Sequence, residues 1–69
     1  MMVLKWRNKF SNETGYVRNI QKAKGYFVNT TMLDQAKKYK SEDEVQKALA
    51  ALKSIGETNN NVFETVTLQ

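Results

Sequence analysis

The chain predicts a two-layer α+β domain in β-β-β-α-β order. An antiparallel meander of three strands comes first, then one amphipathic helix packed on one face, then a C-terminal strand. Three observations carry this reading. Residues 42–55 show a helix start, an apolar stripe and a helix stop in agreement. Residues 3–10 alternate apolar and cationic side chains. Two Gly-Tyr pairs, Gly15-Tyr16 and Gly25-Tyr26, open strand-like segments ten residues apart, the ordinary spacing of a meander.

In chain order, the first strand is predicted over about 3–10. Leu4, Trp6 and Phe10 fall on one side; Lys5, Arg7 and Lys9 fall on the other. Ser11-Asn12-Glu13-Thr14-Gly15 is turn chemistry. A second strand over 16–20 sets Tyr16, Arg18 and Ile20 opposite Val17 and Asn19, and a third runs over 25–30. Residues 32–37 read as one helical turn with Leu33 and Ala36 inward. Lys38 to Lys40 form an extended piece that delivers Tyr39 to the core.

The helix begins after Ser41, a good N-cap, with Glu44 placed for a capping box. Glu42, Asp43 and Glu44 put negative charge at the positive end of the helix dipole. Val45, Ala48, Leu49, Leu52 and Ile55 form the apolar stripe. Gly56 stands where a left-handed C-cap belongs. Asn59-Asn60-Asn61 is a loop, and residues 62–68 are a final strand. One stripe covers one sheet face only. Leu4 and Trp6 are therefore expected under the helix, with Lys5, Arg7 and Lys9 on a face left in water.

With 69 residues the chain forms one domain, 1–69, with a thin core. It has no cysteine and no histidine, so neither a disulfide nor an ordinary zinc site is available, and no cofactor is expected. Small domains without such staples often oligomerise, which leaves a homodimer open. No stretch reads as a signal peptide or a membrane span, and a cytoplasmic protein is expected. Asn12-Glu13-Thr14 and Asn29-Thr30-Thr31 match the glycosylation pattern and are read as chance matches.

Charge is uneven within the net +4. Residues 1–40 hold nine Lys/Arg against Glu13 and Asp34, or +7; residues 41–69 hold two Lys against five acids, or −3. The asymmetry points to an acidic partner.

The usual catalytic equipment is missing: no histidine base, no thiol, no Gly-rich phosphate loop. The acids at 42–44 are explained by capping. The expectation is a binding protein and not an enzyme. The candidate surface is the basic sheet face with its neighbouring turn: Lys5, Arg7, Lys9, Arg18, Lys22 and Lys24. Such a face can meet an acidic protein or ribonucleoprotein. Alternatively it can hold nucleic acid, with phosphates on the cations and bases on Tyr16 or Tyr26. Val62 to Gln69 carries only Glu64 as a charge; as a sheet edge it could self-associate, and equally it could lie in the middle of the sheet, where it needs no protection. Trp6 reads as core.

Tyr26-Phe27-Val28, followed by Ala36-Lys37-Lys38-Tyr39-Lys40-Ser41-Glu42-Asp43-Glu44-Val45, resembles a pattern in small uncharacterised proteins encoded by bacteriophages and prophages of Gram-positive bacteria. The likeness covers about residues 16–68 and consists of structural positions. It implies a fold and a phage origin and carries over no site residue. The first reading is then a phage-type accessory protein that binds and modulates a host macromolecule in the host cytoplasm, with counter-defence or host takeover as candidate purposes. Lys38-Tyr39-Lys40-Ser41-Glu42-Asp43-Glu44-Val45 is also similar to the helix entry of integrase arm-type DNA-binding domains. The chain departs from those in the long stretch between Val28 and Lys38 and in its final strand.

Overall fold

The computed structural model describes all 69 residues. Four strands, β1 (Met2–Asn8), β2 (Thr14–Gln21), β3 (Tyr26–Thr30) and β4 (Asn61–Thr67), form one antiparallel sheet in the order β3-β2-β1-β4. One helix, α1 (Glu42–Ser54), packs on one face, so the fold is α+β with the expected element order. Leu4 and Val17 from the sheet meet Val45, Ala48 and Leu52 from α1, with Tyr39 between them.

The helix follows the local rules closely. Ser41 is extended and its Oγ accepts from the Glu44 N–H at 3.3 Å. The Glu44 carboxylate reaches back one residue further than a capping box requires and accepts from the Lys40 N–H. After α1 the chain reverses at Gly56, whose φ of +83° is the left-handed conformation that glycine adopts at least cost.

β1 stops at Asn8, two residues short of the expected end, and the cause is the Asn8 side chain. Its Oδ1 accepts from the Phe10 and Ser11 N–H groups, both at 2.9 Å, which closes a turn in place of further strand. Phe10 is consequently 79% exposed and does not join Leu4 and Trp6 on the inner face. Trp6 does, packed against the core, with its ring edge-on to Phe27 at 6.3 Å. Phe27 meets Phe63 the same way at 5.6 Å. A Cβ on Gly15, the cross-strand partner of Trp6, would come within 2.8 Å of the indole nitrogen. The glycine is therefore the seat of the tryptophan ring.

The second strand departs from strict alternation. The β2–β3 register shifts between Val17 and Asn19, a bulge that adds one residue and reverses the facing of the residues beyond it. Ile20 therefore packs against the same core as Val17, not on the opposite side with Tyr16 and Arg18. The neighbouring geometry accounts for the bulge. Beyond Tyr16, β2 leaves β1, and residues 37–39 enter between them. The Lys37 N–H donates to the Val17 carbonyl at 3.0 Å, and Tyr39 exchanges two backbone hydrogen bonds with Met2 at 2.7 and 2.9 Å. Tyr39 is thereby delivered to the core, as expected, at 3% exposure.

The outer face is not left wholly in water. Val3 and Leu4 are successive strand residues and point to opposite faces, yet both are fully buried. Cross-strand pairing puts Val66 on the face of Val3, and strand alternation puts Leu68 there too. Met32, Leu33 and Lys38 line one concavity with Leu68, so the irregular segment 31–38 covers this end of the outer face. A turn at Leu33–Gln35 shapes that segment. Ala36 is buried within it, whereas Leu33 remains 43% exposed and does not face inward as expected.

Candidate functional site

Strand register determines which of the six cationic candidates can act together. Lys5 pairs with Tyr16 on one side and Glu64 on the other, and Tyr16 pairs with Thr30. These four side chains form a row across the outer face. Arg7 lies two residues further along, about 7 Å away on the same face, between Thr14 and Val62. Lys5 and Arg7 are thus brought together on the side turned away from α1. Arg7 is exposed and Lys5 is half-buried.

Of the other four candidates, Arg18 stays on the Tyr16 side of β2, two residues along, and three are dispersed. Lys9 stands beyond the end of β1, where its Nζ donates to the Thr58 carbonyl at 2.9 Å and ties the first turn to the loop before β4. Arg18 is exposed in the bulge. Lys22 and Lys24 flank the one-turn helix at Lys22–Lys24 that closes the β2–β3 hairpin, at the opposite end of β2 from Lys9. At about 3.3 Å per residue, the length of β2 puts roughly 20 Å between the two ends. Tyr26, next to that hairpin turn, is 46% exposed.

The end of the outer face carrying Arg7 therefore combines a guanidinium, an ammonium, a half-buried tyrosine ring and the 41% exposed Val62. A surface of this kind suits docking of a partner with carboxylates or phosphates around an apolar centre. Glu64 stands directly across from Lys5 and tempers its charge.

A second feature was not legible in the sequence. Between the bulged part of β2 and the start of α1 lies an open cleft of about 390 Å3 whose lining includes Asn19, Lys37, Tyr39, Glu44 and Lys47. The Lys37 ammonium stands 6.0 Å from the centre of the Tyr39 ring. Burial, and secondarily the Glu44 carboxylate, push the Tyr39 hydroxyl above the ordinary tyrosine pKa. That hydroxyl is sealed from solvent and has no hydrogen-bond partner in the protein, so it offers nothing to an occupant of the cleft. No spacing rule joins Lys37 to Lys47; only the insertion of residues 37–39 beside β2 does so.

No group of three or more Asp or Glu side chains is arranged to hold a metal ion. No helix is long and apolar enough to cross a membrane. Comparison with protein-family models, curated proteins and solved structures found no match to this chain.

Proposed function

We propose that the chain is a non-catalytic accessory protein of phage type. It binds and modulates a host macromolecule with an acidic surface, a protein or a ribonucleoprotein, in the host cytoplasm. The observation that supports this most is the grouping of Lys5, Arg7 and Tyr16 on the sheet face turned away from α1, at the end that residues 31–38 leave uncovered. Binding of this kind is stoichiometric, because a protein without catalytic groups acts by occupying a surface.

An acidic macromolecular surface is favoured over a bare nucleic-acid backbone by the condition of the cations. Lys9 is held by a carbonyl, Lys5 has Glu64 opposite, and Lys22 and Lys24 lie at the far end of the sheet. Few charges remain in one place to displace counterions from phosphates, and nucleic-acid affinity grows with that number.

The test is affinity capture from host lysate with the wild-type chain and with Arg7→Glu. The expected result is a stoichiometric acidic partner held by the wild type and lost by the variant. Equal capture by both proteins would overturn the assignment of the surface. A mobility shift on nucleic acid that weakens steeply with salt would favour the nucleic-acid alternative.

A further inference from the structure

The two edges of the sheet are differently protected. β3 is short, at five residues, its pairing with β2 is interrupted by the bulge, and lysines flank the turn that precedes it. Shortness, bulges and lysines are the devices by which natural sheets discourage strand addition. β4 has none of them. It runs for seven residues in unbroken register with β1, contains no proline or lysine, and carries one charge, Glu64.

The hydrogen-bond pattern states which groups of β4 are unpaired. The Leu68 N–H donates to Met1 O at 2.7 Å, and the Lys9 N–H donates to Asn60 O at 2.8 Å. Residues 60, 62, 64, 66 and 68 therefore direct their backbone groups toward β1. Phe63, Thr65 and Thr67 direct theirs outward, to an edge that no other strand occupies.

We infer that this edge is a homodimer interface, in which β4 pairs antiparallel with β4 of a second copy about a two-fold axis at Thr65. The occupant follows from self-complementarity. In that register Phe63 faces Thr67 of the second copy and Thr65 faces its own counterpart, so three hydrogen-bonded pairs supply about six backbone hydrogen bonds. Between them Val62 faces Leu68 and Glu64 faces Val66, so that apolar side chains meet and no like charges stand directly opposite. Shifting the axis by one residue to Glu64 sets two carboxylates face to face, and shifting it by two to Phe63 keeps three hydrogen-bonded pairs but sets Val62 opposite Glu64 and Val66 opposite Asn60, with no apolar pair between them. The dimer is one continuous sheet of eight strands, with both α1 helices on one side and both Arg7 faces on the other. A thin core, with only 11 of 69 residues buried, is the circumstance in which association adds most to stability.

The test is the association state of the whole chain by sedimentation across the micromolar to millimolar range, with amide hydrogen exchange. The expected result is a monomer–dimer equilibrium in which the Phe63, Thr65 and Thr67 amides gain protection as dimer forms. Thr65→Pro removes one outward N–H while sparing the ladder to β1, and it is expected to leave a folded monomer. Thr65→Lys keeps the backbone and sets two ammonium groups opposite each other at the axis, weakening the dimer by about tenfold or more; it serves if the proline variant fails to fold. A wild-type chain that stays monomeric at millimolar concentration overturns the inference. So does a dimer that Thr65→Lys leaves unchanged or that leaves those three amides unprotected. This outcome is separate from that of the lysate capture, which reads the Arg7 face of the monomer.

Discussion

The two faces of the sheet are both buried in part, but by different means. On the inner face Leu4 and Val17 lie beneath a helix whose stripe, cap and stop are local properties of its own sequence. On the outer face Val3 is fully buried at the end where residues 31–38 lie against Leu68, and those residues have one short turn and no repeating pattern. What holds that cover together is largely polar. The Lys38 ammonium donates to the carbonyls of Leu33, Asp34 and Ala36 at 3.0, 3.3 and 2.8 Å, and the Thr30 hydroxyl accepts from the Met32 N–H at 3.1 Å. A helix brings a dense apolar stripe, whereas the irregular cover brings few apolar groups and several solvent-near hydrogen bonds. Equal burial thus does not mean equal resistance to opening.

A cavity opened on each face puts this contrast to its most severe test. Leu52→Ala removes a fully buried side chain from the inner core, and a loss of about 2–5 kcal/mol is expected in urea or thermal unfolding. Val3→Ala removes two methyl groups from an equally buried site, worth about 1.6 kcal/mol at 0.8 per carbon, and the loosely built cover can settle into the space. The expected loss is about 1–2 kcal/mol. If the Val3 variant proves as damaging as the Leu52 variant, the irregular segment packs as rigidly as the helix and the distinction fails.

Lys38→Ala probes the cover alone. Its ammonium collects three carbonyls that would otherwise be left to water, and part of the side chain is buried. A global loss of about 1 kcal/mol is expected, the net worth of a typical hydrogen-bonding group. The local effect should exceed the global one. Amides that report on the cover, such as Gln35 and Ala36, should exchange faster, while those inside α1 should not change. Uniform acceleration across the chain would show that the cover and the helix open as one unit.

The difference between the faces also explains what could be read from the sequence. The helix was legible because Ser41, the Val45-to-Ile55 stripe and Gly56 each obey rules that need no knowledge of the rest of the chain. The alternation of Leu4 with Lys5 and of Trp6 with Arg7 was legible for the same reason. Three features were not. Phe10 has the right spacing for the inner face, but the Asn8 side chain captures the next two amides and turns the chain outward. Ile20 has the wrong parity for the inner face until a bulge corrects it, and that bulge accompanies the insertion of Lys37 and Tyr39 from distant sequence. Val3 shares the strand parity of Lys5 and Arg7, and nothing in a run such as Thr31-Met32-Leu33-Asp34 announces that this end of the outer face is covered. Among the six candidate cations, the register of Lys5 and Arg7 followed from period two. The engagement of Lys9 by Thr58 did not, since it depends on how the final loop returns to the first turn. Placement of β4 at an edge was equally hidden, because strand order is set by packing and not by pattern.

Tyr39 tests the seam between the two faces with the smallest expected effect and the opposite sign. Its backbone bridges to Met2 in the plane of the sheet while its ring fills the inner core. The hydroxyl is buried without a partner, a position that costs stability and gives nothing in return. Tyr39→Phe keeps the ring and removes that group, so the variant should be equal to the wild type or more stable by up to about 1 kcal/mol near neutral pH. The pH dependence follows from the raised pKa, which burial causes first and Glu44 second. Below about pH 10 the hydroxyl is protonated in both folded and unfolded chains and contributes no slope. Above that value the unfolded chain gives up the proton while the folded chain retains it, so wild-type stability falls as pH rises toward the folded-state pKa. Phenylalanine cannot ionise and lacks this component. The stability difference between variant and wild type should therefore stay flat to about pH 10 and widen in favour of phenylalanine beyond it, as measured by urea unfolding at neutral and alkaline pH. A variant that is clearly less stable at neutral pH would mean that the hydroxyl has a partner in solution, and the seam would then be polar and not dry.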